Sequence, residues 1–132
     1  MLDTNILVSM IFFPSDITRK FREIVCLNHN IIICDYVIKE LYIVTERKFS
    51  NKKVVLDKFF EDFPFELVYT LDKYKSNSIP YVRDKDDILV LSTAIMEKVD
   101  YLITGDLDLR VVETERPKIM TMRDFLNRYD KH

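Results

Sequence analysis

The amino-acid sequence predicts an α/β fold, with a parallel β-sheet covered by helices on both faces in a three-layer α/β/α arrangement. Strand-like and helix-like segments alternate along the chain, which is the order that a covered parallel sheet requires. The run Ile31-Ile32-Ile33 is β-branched and apolar on both faces, as a central strand should be. Residues 88–96 are apolar on nearly every side, so a helix there must be buried between other layers.

The first third of the chain contains a short strand, a helix and a second strand. Leu2 opens a very short strand at the start of the sequence. Pro14-Ser15-Asp16 is typical of a helix start, and residues 17–27 carry apolar side chains at helical spacing. Asn28-His29-Asn30 ends this helix, and the β-branched strand at residues 31–33 follows.

The middle of the chain predicts two helices and an outer strand. Asp35 is a suitable cap for a helix over residues 36–48. Residues 54–63 form an amphipathic pattern that Pro64 ends. Residues 65–69 alternate between apolar and polar side chains, which is typical of a strand at the outside of a sheet.

The last part of the chain begins with a loop and ends with a helix. Residues 73–81 are polar and contain a proline, which favours a loop. Asp86 or Asp87 then caps a buried helix over residues 88–97. The remaining predicted elements are a central strand at residues 100–104, a short last strand at residues 118–120, and a terminal helix capped by Thr121.

Composition limits the kind of protein. The chain has 132 residues, 48% of them hydrophobic, which is the size of one domain spanning residues 1–132 with a real core. No apolar run approaches the length of a membrane span, and the start lacks the pattern of a secretory signal. Cys26 and Cys34 stand in apolar segments, which indicates reduced core residues of a cytoplasmic protein. The net charge of −2 provides no general basic field, so a polyanionic partner must be held by local patches or by metal.

Gly105, the only glycine of the chain, lies where an apolar strand-like run gives way to Asp106 and Asp108. A lone glycine indicates a position where the backbone needs unusual freedom. Open α/β folds build their sites at the carboxyl ends of strands. The segment therefore predicts a site that uses these two acids.

Asp3 and Glu40 are candidate partners for them, although each has a structural alternative. Asp3 follows the first apolar residues, and as a single residue it is better explained as the N-cap of a helix. Glu40 lies within the apolar sector of its predicted helix, where an unpartnered carboxylate costs several kcal/mol in order of magnitude. An ion pair with Arg47, two turns later, satisfies Glu40 as well as a metal does.

Three further acids, Asp84, Asp86 and Asp87, come just before the buried helix. Negative charge is favourable at a helix N-terminus by roughly 0.3–1 kcal/mol, so capping explains one or two of these acids. It does not explain why Asp87 enters the first turn of so apolar a helix. Similarly, an ordinary acidic turn is an alternative for Asp106 and Asp108.

Together, the acids predict a metal site at one edge of the sheet. Carboxyl ends of parallel strands and the starts of the following helices meet at the same edge, which brings four or five carboxylates into one pocket. Two charges about 4 Å apart repel by roughly 4 kcal/mol at an effective dielectric constant of 20. Such a cluster requires raised pKa values or a divalent cation, and all-oxygen ligands select Mg²⁺ or Mn²⁺.

Carboxylates with Mg²⁺ support a narrow range of reactions. The sequence offers no serine–histidine or cysteine–histidine pair with the spacing of an acyl-transfer site, and no glycine-rich phosphate loop. A metal held by acids lowers the pKa of a water molecule and stabilises charge on the attacking and leaving oxygens of a phosphodiester. Hydrolysis of a nucleic-acid backbone is the predicted reaction.

The sequence resembles PIN-domain nucleases, in particular the group that forms the toxin components of prokaryotic toxin–antitoxin pairs. The resemblance covers nearly the whole chain and depends on the order and spacing of its segments. These are Leu2-Asp3-Thr4-Asn5-Ile6-Leu7-Val8-Ser9, Glu40-Leu41, Arg83-Asp84-Lys85-Asp86-Asp87 with Leu91-Ser92-Thr93-Ala94, Asp100-Tyr101-Leu102-Ile103-Thr104-Gly105-Asp106-Leu107-Asp108-Leu109, and Thr121-Met122-Arg123-Asp124-Phe125-Leu126.

The resemblance implies a PIN-like three-layer fold with a central five-stranded parallel sheet, Mg²⁺ or Mn²⁺ as cofactor, single-stranded RNA as substrate and a cognate antitoxin protein as partner. By position it assigns an acidic catalytic quartet with three supporting residues. The quartet is Asp3, Glu40, Asp87 and Asp106, and the supporting residues are Asn5, Thr104 and Asp108. Metal ligation falls to Asp3, Asp87 and Asp106, while Glu40 positions or deprotonates the attacking water.

Partner contacts are a separate expectation. Arg47, Arg83, Lys85 and Arg110 are close in sequence to the acids and are candidates for contacts with RNA phosphates, although solvated surface charge explains each one singly. The apolar side chains Phe59, Phe60 and Phe63, if exposed, are compatible with a homodimer. No contact with a membrane is expected.

Two departures from the family pattern are visible. Only Met1 and Leu2 precede the first aspartate, so the first strand is expected to be short. Lys85 replaces a proline that the family usually has after the first aspartate of its loop, which changes the expected loop shape and leaves the acid at Asp87 in place.

Three other classes were weighed against this interpretation. A haloacid-dehalogenase-like phosphatase needs a second aspartate where this chain has Asn5. A receiver domain finds only a partial match in Ile31-Ile32-Ile33-Cys34-Asp35. The alternative that stays open is a PIN-like module that binds metal or a partner without nuclease activity.

Overall fold

The computed structural model describes residues 1–70 and 85–130, apart from the side chains of residues 85 and 86. The loop predicted at residues 73–81 therefore lies outside the described residues. Helices and strands alternate over much of the chain, as expected. The helices are α1 (Thr4–Phe12), α2 (Asp16–Asn28), α3 (Asp35–Lys48), α4 (Lys53–Asp62), α5 (Lys85–Met96), α6 (Leu107–Arg110) and α7 (Met122–Tyr129). The strands are β1 (Ile32–Cys34), β2 (Glu66–Val68), β3 (Tyr101–Ile103) and β4 (Lys118–Met120).

The strands form two parallel pairs that the first residues of the chain connect. Strand β1 pairs with β2, and β3 pairs with β4. Residues 1–3 lie between the pairs, because the Leu2 amide donates to the Ile32 carbonyl at 3.1 Å and the Asp3 amide donates to the Ile103 carbonyl at 3.1 Å. Leu2 forms only an isolated parallel bridge with Ile103. The α/β class is therefore observed within the described residues, whereas the predicted continuous five-stranded sheet is not.

Helix starts follow the capping chemistry of the sequence at two places. Ser15 begins α2 and Thr121 begins α7, each through a capping box with the residue three positions later. Asp35 does not act as the expected cap, because helix α3 begins at this residue. Its Oδ1 accepts hydrogen bonds from the Tyr36 amide and from the amide and hydroxyl of Thr70. These hydrogen bonds connect the start of α3 to Thr70, which follows β2.

The core lies between the strands and the helices on their faces. Leu7, Ile33, Leu41, Leu91 and Leu102 are fully buried. Burying each such side chain contributes about 1.5–3 kcal/mol. Helix α5 carries buried residues on much of its surface, as its apolar sequence predicts.

The phenylalanines of α4 belong to this core, so the expectation that they are exposed is wrong. Phe59 and Phe63 are buried and Phe60 is half-buried. The Arg22 guanidinium of α2 lies over the rings of Phe59 and Phe63, at 5.2 and 5.6 Å from their centroids. Packing on α2 thus covers the surface on which the homodimer expectation depended.

Two other features limit what the chain can do. No helix within the described ranges is long and apolar enough to cross a lipid bilayer. Cys26 and Cys34 are free thiols, half-buried and buried respectively. Burial raises the pKa of the Cys34 thiol to about 11, so it stays protonated near neutral pH and is a poor nucleophile.

Candidate active site

The candidate site is a group of acids at the carboxyl edge of the central strands, which we call the acidic pocket; its members are Asp3, Glu40, Asp87, Asp106 and Asp108. Asp3 follows the first strand-like segment and caps α1, while Asp106 comes three residues after β3 and caps α6. Helix α3 supplies Glu40, and the first turn of α5 supplies Asp87. Asp3 and Asp87 are only 6% and 8% exposed, which is unusual for aspartates without a specific role.

The Thr104 hydroxyl joins two of these acids. It donates to Oδ2 of Asp3 at 2.7 Å and accepts from the Asp106 amide at 3.0 Å. Thr104 is fully buried, so water cannot replace either hydrogen bond. The other oxygen of Asp3 accepts from the Thr4 amide at 2.8 Å. Asp3 is therefore held rigidly, and it serves both as a helix cap and as a member of the acidic pocket.

Three carboxylates lie close enough together to share one ion. Asp87, Asp106 and Asp108 each place an oxygen within 4.8 Å of the others. Oδ1 of Asp106 also accepts from the Asp108 amide at 2.8 Å, which fixes their relative position. Two members were expected as metal ligands. Asp108 was expected only in support, and Asp3, the third expected ligand, lies outside this triad.

Asp3 nevertheless shares the electrostatic field of the pocket. Burial raises the pKa of the Asp3 carboxyl, and its hydrogen bonds with Thr104 and Thr4 oppose that increase. The negative charges of Glu40 and Asp106 raise this pKa further, because a like charge nearby disfavours ionisation. These interactions show that Glu40 and Asp106 approach Asp3 across a large sequence separation.

Glu40 does not form the ion pair that was its alternative explanation. Its side chain is half-buried, whereas Arg47 is exposed on the last turn of α3. Among the described residues no ion pair joins the two. Among the described residues, Arg47 therefore does not explain the half-buried position of Glu40.

The remaining predicted residues are less closely connected to the pocket. Asn5 is exposed, and the structure gives it no hydrogen bond to the acids within the described residues. Arg47 and Arg110 are exposed, at the ends of α3 and α6. Arg83 and the side chain of Lys85 lie outside the described residues. The contacts of these residues with RNA stay predictions.

Helix α6 was not among the elements predicted from the sequence, and neither were α1 as a firm element nor the 3-10 helix Ser50–Lys52. Helix α6 is a single turn, capped by the Asp106 side chain and with Asp108 in its first turn. An aspartate at the cap with another acid in the first turn is a recognisable start signal, but four residues are too few for an apolar period. Gly105 before it has no positive φ, and a Cβ there would meet nothing within 4 Å. The unusual backbone freedom expected of Gly105 is therefore not required.

The fold and the acidic pocket define an α/β protein with a carboxylate site at one sheet edge, and comparison with known families gives the same class. The chain belongs to the PIN domain family, whose sequence model matches residues 1–108. No curated protein sequence matches the chain.

Among solved structures, the chain is similar to one in the crystal structure of VapBC2 from Rickettsia felis bound to a DNA fragment from their promoter. The two chains are 24% identical, with a TM-score of 0.67 over 91% of this chain and 95% of the other. At this level of identity the similarity shows a shared fold.

Proposed function

We propose that the chain is a metal-dependent ribonuclease that hydrolyses phosphodiester bonds of single-stranded RNA. The observation that carries this proposal is the placement of Asp87, Asp106 and Asp108 oxygens within 4.8 Å of one another. Membership of the PIN domain family supports nuclease chemistry at that place. RNA as the substrate follows from the resemblance to the toxin group of the family.

The donor atoms fit Mg²⁺ or Mn²⁺. All are carboxylate oxygens, which these hard cations prefer, and Cys34 and His29 are not part of the group. We assign cation binding to Asp87, Asp106 and Asp108, with Asp3 beside them. When bound, the cation neutralises the acids and stabilises charge on the attacking and leaving oxygens of the phosphodiester.

The protein's own groups complete the reaction. Glu40, half-buried and not neutralised by Arg47, orients the attacking water and accepts its proton. The water oxygen forms a bond to phosphorus while the bond to the leaving ribose oxygen breaks, and that oxygen takes up a proton from solvent. Asp3, fixed by Thr104, keeps its position beside the acids during this step.

We further propose that the ribonuclease is the toxin of a toxin–antitoxin pair and acts in the cytoplasm. The similar Rickettsia felis chain comes from a VapBC2 assembly, which supports a protein antitoxin as the partner of this chain. Free thiols at Cys26 and Cys34 fit a reducing compartment. A homodimer stays a prediction, but Phe59 and Phe63 are buried and Phe60 is half-buried, so these side chains no longer support it.

Cleavage of labelled single-stranded RNA by the purified chain tests the proposal. We expect cleavage with Mg²⁺ or Mn²⁺ and none with EDTA. The clustered carboxylates repel the negatively charged RNA phosphate unless a cation neutralises them. A random-sequence RNA pool avoids dependence on one recognition site. Metal binding without cleavage of any member of the pool would instead identify a binding module.

Replacing Thr104 by valine tests how the pocket is held together. The variant keeps the side-chain shape but leaves Oδ2 of Asp3 and the Asp106 amide without their shared partner. We expect RNA cleavage to fall by about 10- to 100-fold, the range for outer partners of metal ligands, and the free energy of unfolding to fall by about 1–3 kcal/mol.

Thr93→Val is the matched control for this change. Thr93 is equally buried, but its hydroxyl bonds only to the Leu89 carbonyl of its own helix. Its activity should stay within about threefold of the parent, since a bond within one helix turn positions no acid. Equal losses of activity in the two variants would contradict the role assigned to Thr104.

A further inference from the structure

The connection between α3 and α4 concentrates positive charge on a chain of net charge −2. We name residues 47–53 the basic junction, because four of these seven residues are cations, namely Arg47, Lys48, Lys52 and Lys53. All four are exposed. Glu46 is the one adjoining acid, and within the described residues none of the four cations forms an ion pair with a carboxylate.

One of these cations, Lys53, lies where a helix start disfavours it. Arg47 and Lys48 occupy the last turn of α3, where the helix dipole favours cations. Lys52 ends a short 3-10 helix over Ser50–Lys52, and Lys53 begins α4, which has no acid in its first turn and no side-chain cap. A cation at a helix N-terminus is unfavourable. Lys53 therefore has no neighbouring acid in its own helix turn, and an external anion would stabilise it.

An exposed aromatic ring adjoins the same segment. Phe13, at the end of α1, is 59% exposed. The Phe13 ring meets the ring of Phe49 edge-on, with 5.8 Å between the centroids. The ring of Phe12 stacks on the same Phe49 ring, with 4.6 Å between the centroids. Phe49 lies in the middle of the basic junction, so an accessible aromatic face adjoins four cations that form no ion pair within the described part of the chain. Alternating aromatic and basic groups are the usual means of holding single-stranded nucleic acid.

Two helices lead from the acidic pocket to this surface. Helix α1 begins at Asp3 and ends beside Phe13, and α3 carries Glu40 and ends at the basic junction. Arg47 is seven residues after Glu40, which corresponds to about 10 Å along a helix. That length spans roughly three stacked nucleotides at 3.4 Å each.

We infer that the basic junction and Phe13 bind the single-stranded RNA substrate about three nucleotides from the bond that is cut. Phosphates lie against the four cations, and a base stacks on Phe13. The inference rests on the proposed ribonuclease function. It predicts that the affinity for RNA depends on RNA length, because longer RNA also contacts a surface that lies away from the acids.

Fluorescence anisotropy with labelled RNA tests this inference directly. The parent protein is the Asp87→Asn variant, which prevents cleavage, and the probes are random-sequence RNA pools of 2 and 12 nucleotides. Lys52→Gln/Lys53→Gln should reduce the salt dependence of 12-nucleotide binding by about 1.4 in the logarithmic slope, or about 0.7 per phosphate contact. Phe13→Ala should weaken 12-nucleotide binding about fivefold or more.

The controls separate this surface from general effects. Lys20→Gln/Lys58→Gln removes two exposed lysines elsewhere, and Leu27→Ala removes an apolar side chain that is 74% exposed. Both controls should bind like the parent, and no variant should alter binding of the 2-nucleotide pool, which spans only the bond that is cut and cannot reach the basic junction. A melting temperature unchanged from the parent shows that each variant is folded.

Several results would overturn the inference. In the first, the junction variants bind 12-nucleotide RNA with the affinity and the salt dependence of the parent. In the second, the variants lose the same fraction of affinity for both RNA lengths. In the third, the parent does not bind 12-nucleotide RNA. A basic junction that contacts an acidic protein segment gives the first of these results. Failure of the ribonuclease proposal is recognised separately, because the wild-type chain would then cleave no RNA with Mn²⁺ whatever the binding data show.

Discussion

Asp87→Asn is expected to abolish RNA cleavage, lowering kcat/KM by more than about 100-fold. Changes to the outer partners of metal ligands already cost roughly 10- to 100-fold, and Asp87 belongs to the triad itself. Asparagine keeps the shape of the side chain while removing one charge. Since that charge lies in a cluster of like charges, the metal-free variant should be at least as stable as the wild type.

The measurement is steady-state cleavage of labelled RNA together with urea unfolding in EDTA. Asp62→Asn is a matched control, because this aspartate is exposed on α4 and outside the triad. The control should cleave RNA at the wild-type rate. Substantial activity in Asp87→Asn would remove Asp87 from the site.

Mg²⁺ or Mn²⁺ at about 100 times its dissociation constant is expected to stabilise the fold by about 2.7 kcal/mol. For a chain of this length, that corresponds to an increase in melting temperature of roughly 10 °C. The physical reason is that the cation binds only where folding has brought the acids together. Differential scanning fluorimetry at several metal concentrations measures the shift.

Asp106→Asn should lose most of this shift, because it removes a central member of the triad. Asp124→Asn is the comparison, since Asp124 is exposed and belongs to the capping box of α7, outside the triad. It should keep the metal-induced shift even if its starting melting temperature is lower. The same shift in wild type and Asp106→Asn would indicate that metal binds elsewhere.

Much of the fold follows from local chemistry that the sequence displays. The strand at residues 118–120 and the cap at Thr121 were predicted where they occur, because a short apolar run and a capping box are local signals. The buried helix α5 was also predicted from its apolar surface alone. Its start differs, since the helix begins at Lys85 and includes Asp87 in its first turn.

The errors come from contacts between distant parts of the chain. Whether Phe59 and Phe63 face water depends on α2 packing over them, and no pattern within α4 reveals that neighbour. Asp35 looks like a cap because its interaction with Thr70, 35 positions away, is invisible locally. In the site, the spacing of the acids along the chain identified them as candidates, but the proximity of Asp108 to Asp87 depends on the turn made by α6.

The hydrogen bond between Thr104 and Asp3 spans 101 positions of the chain. During translation at about 5–20 residues per second, a gap of that length takes roughly 5–20 s to synthesise. Until then Asp3 lacks its hydrogen bond with Thr104, and contacts so far apart also form late in folding. The acids of the site therefore come together only after the chain has been made as far as residues 104–108.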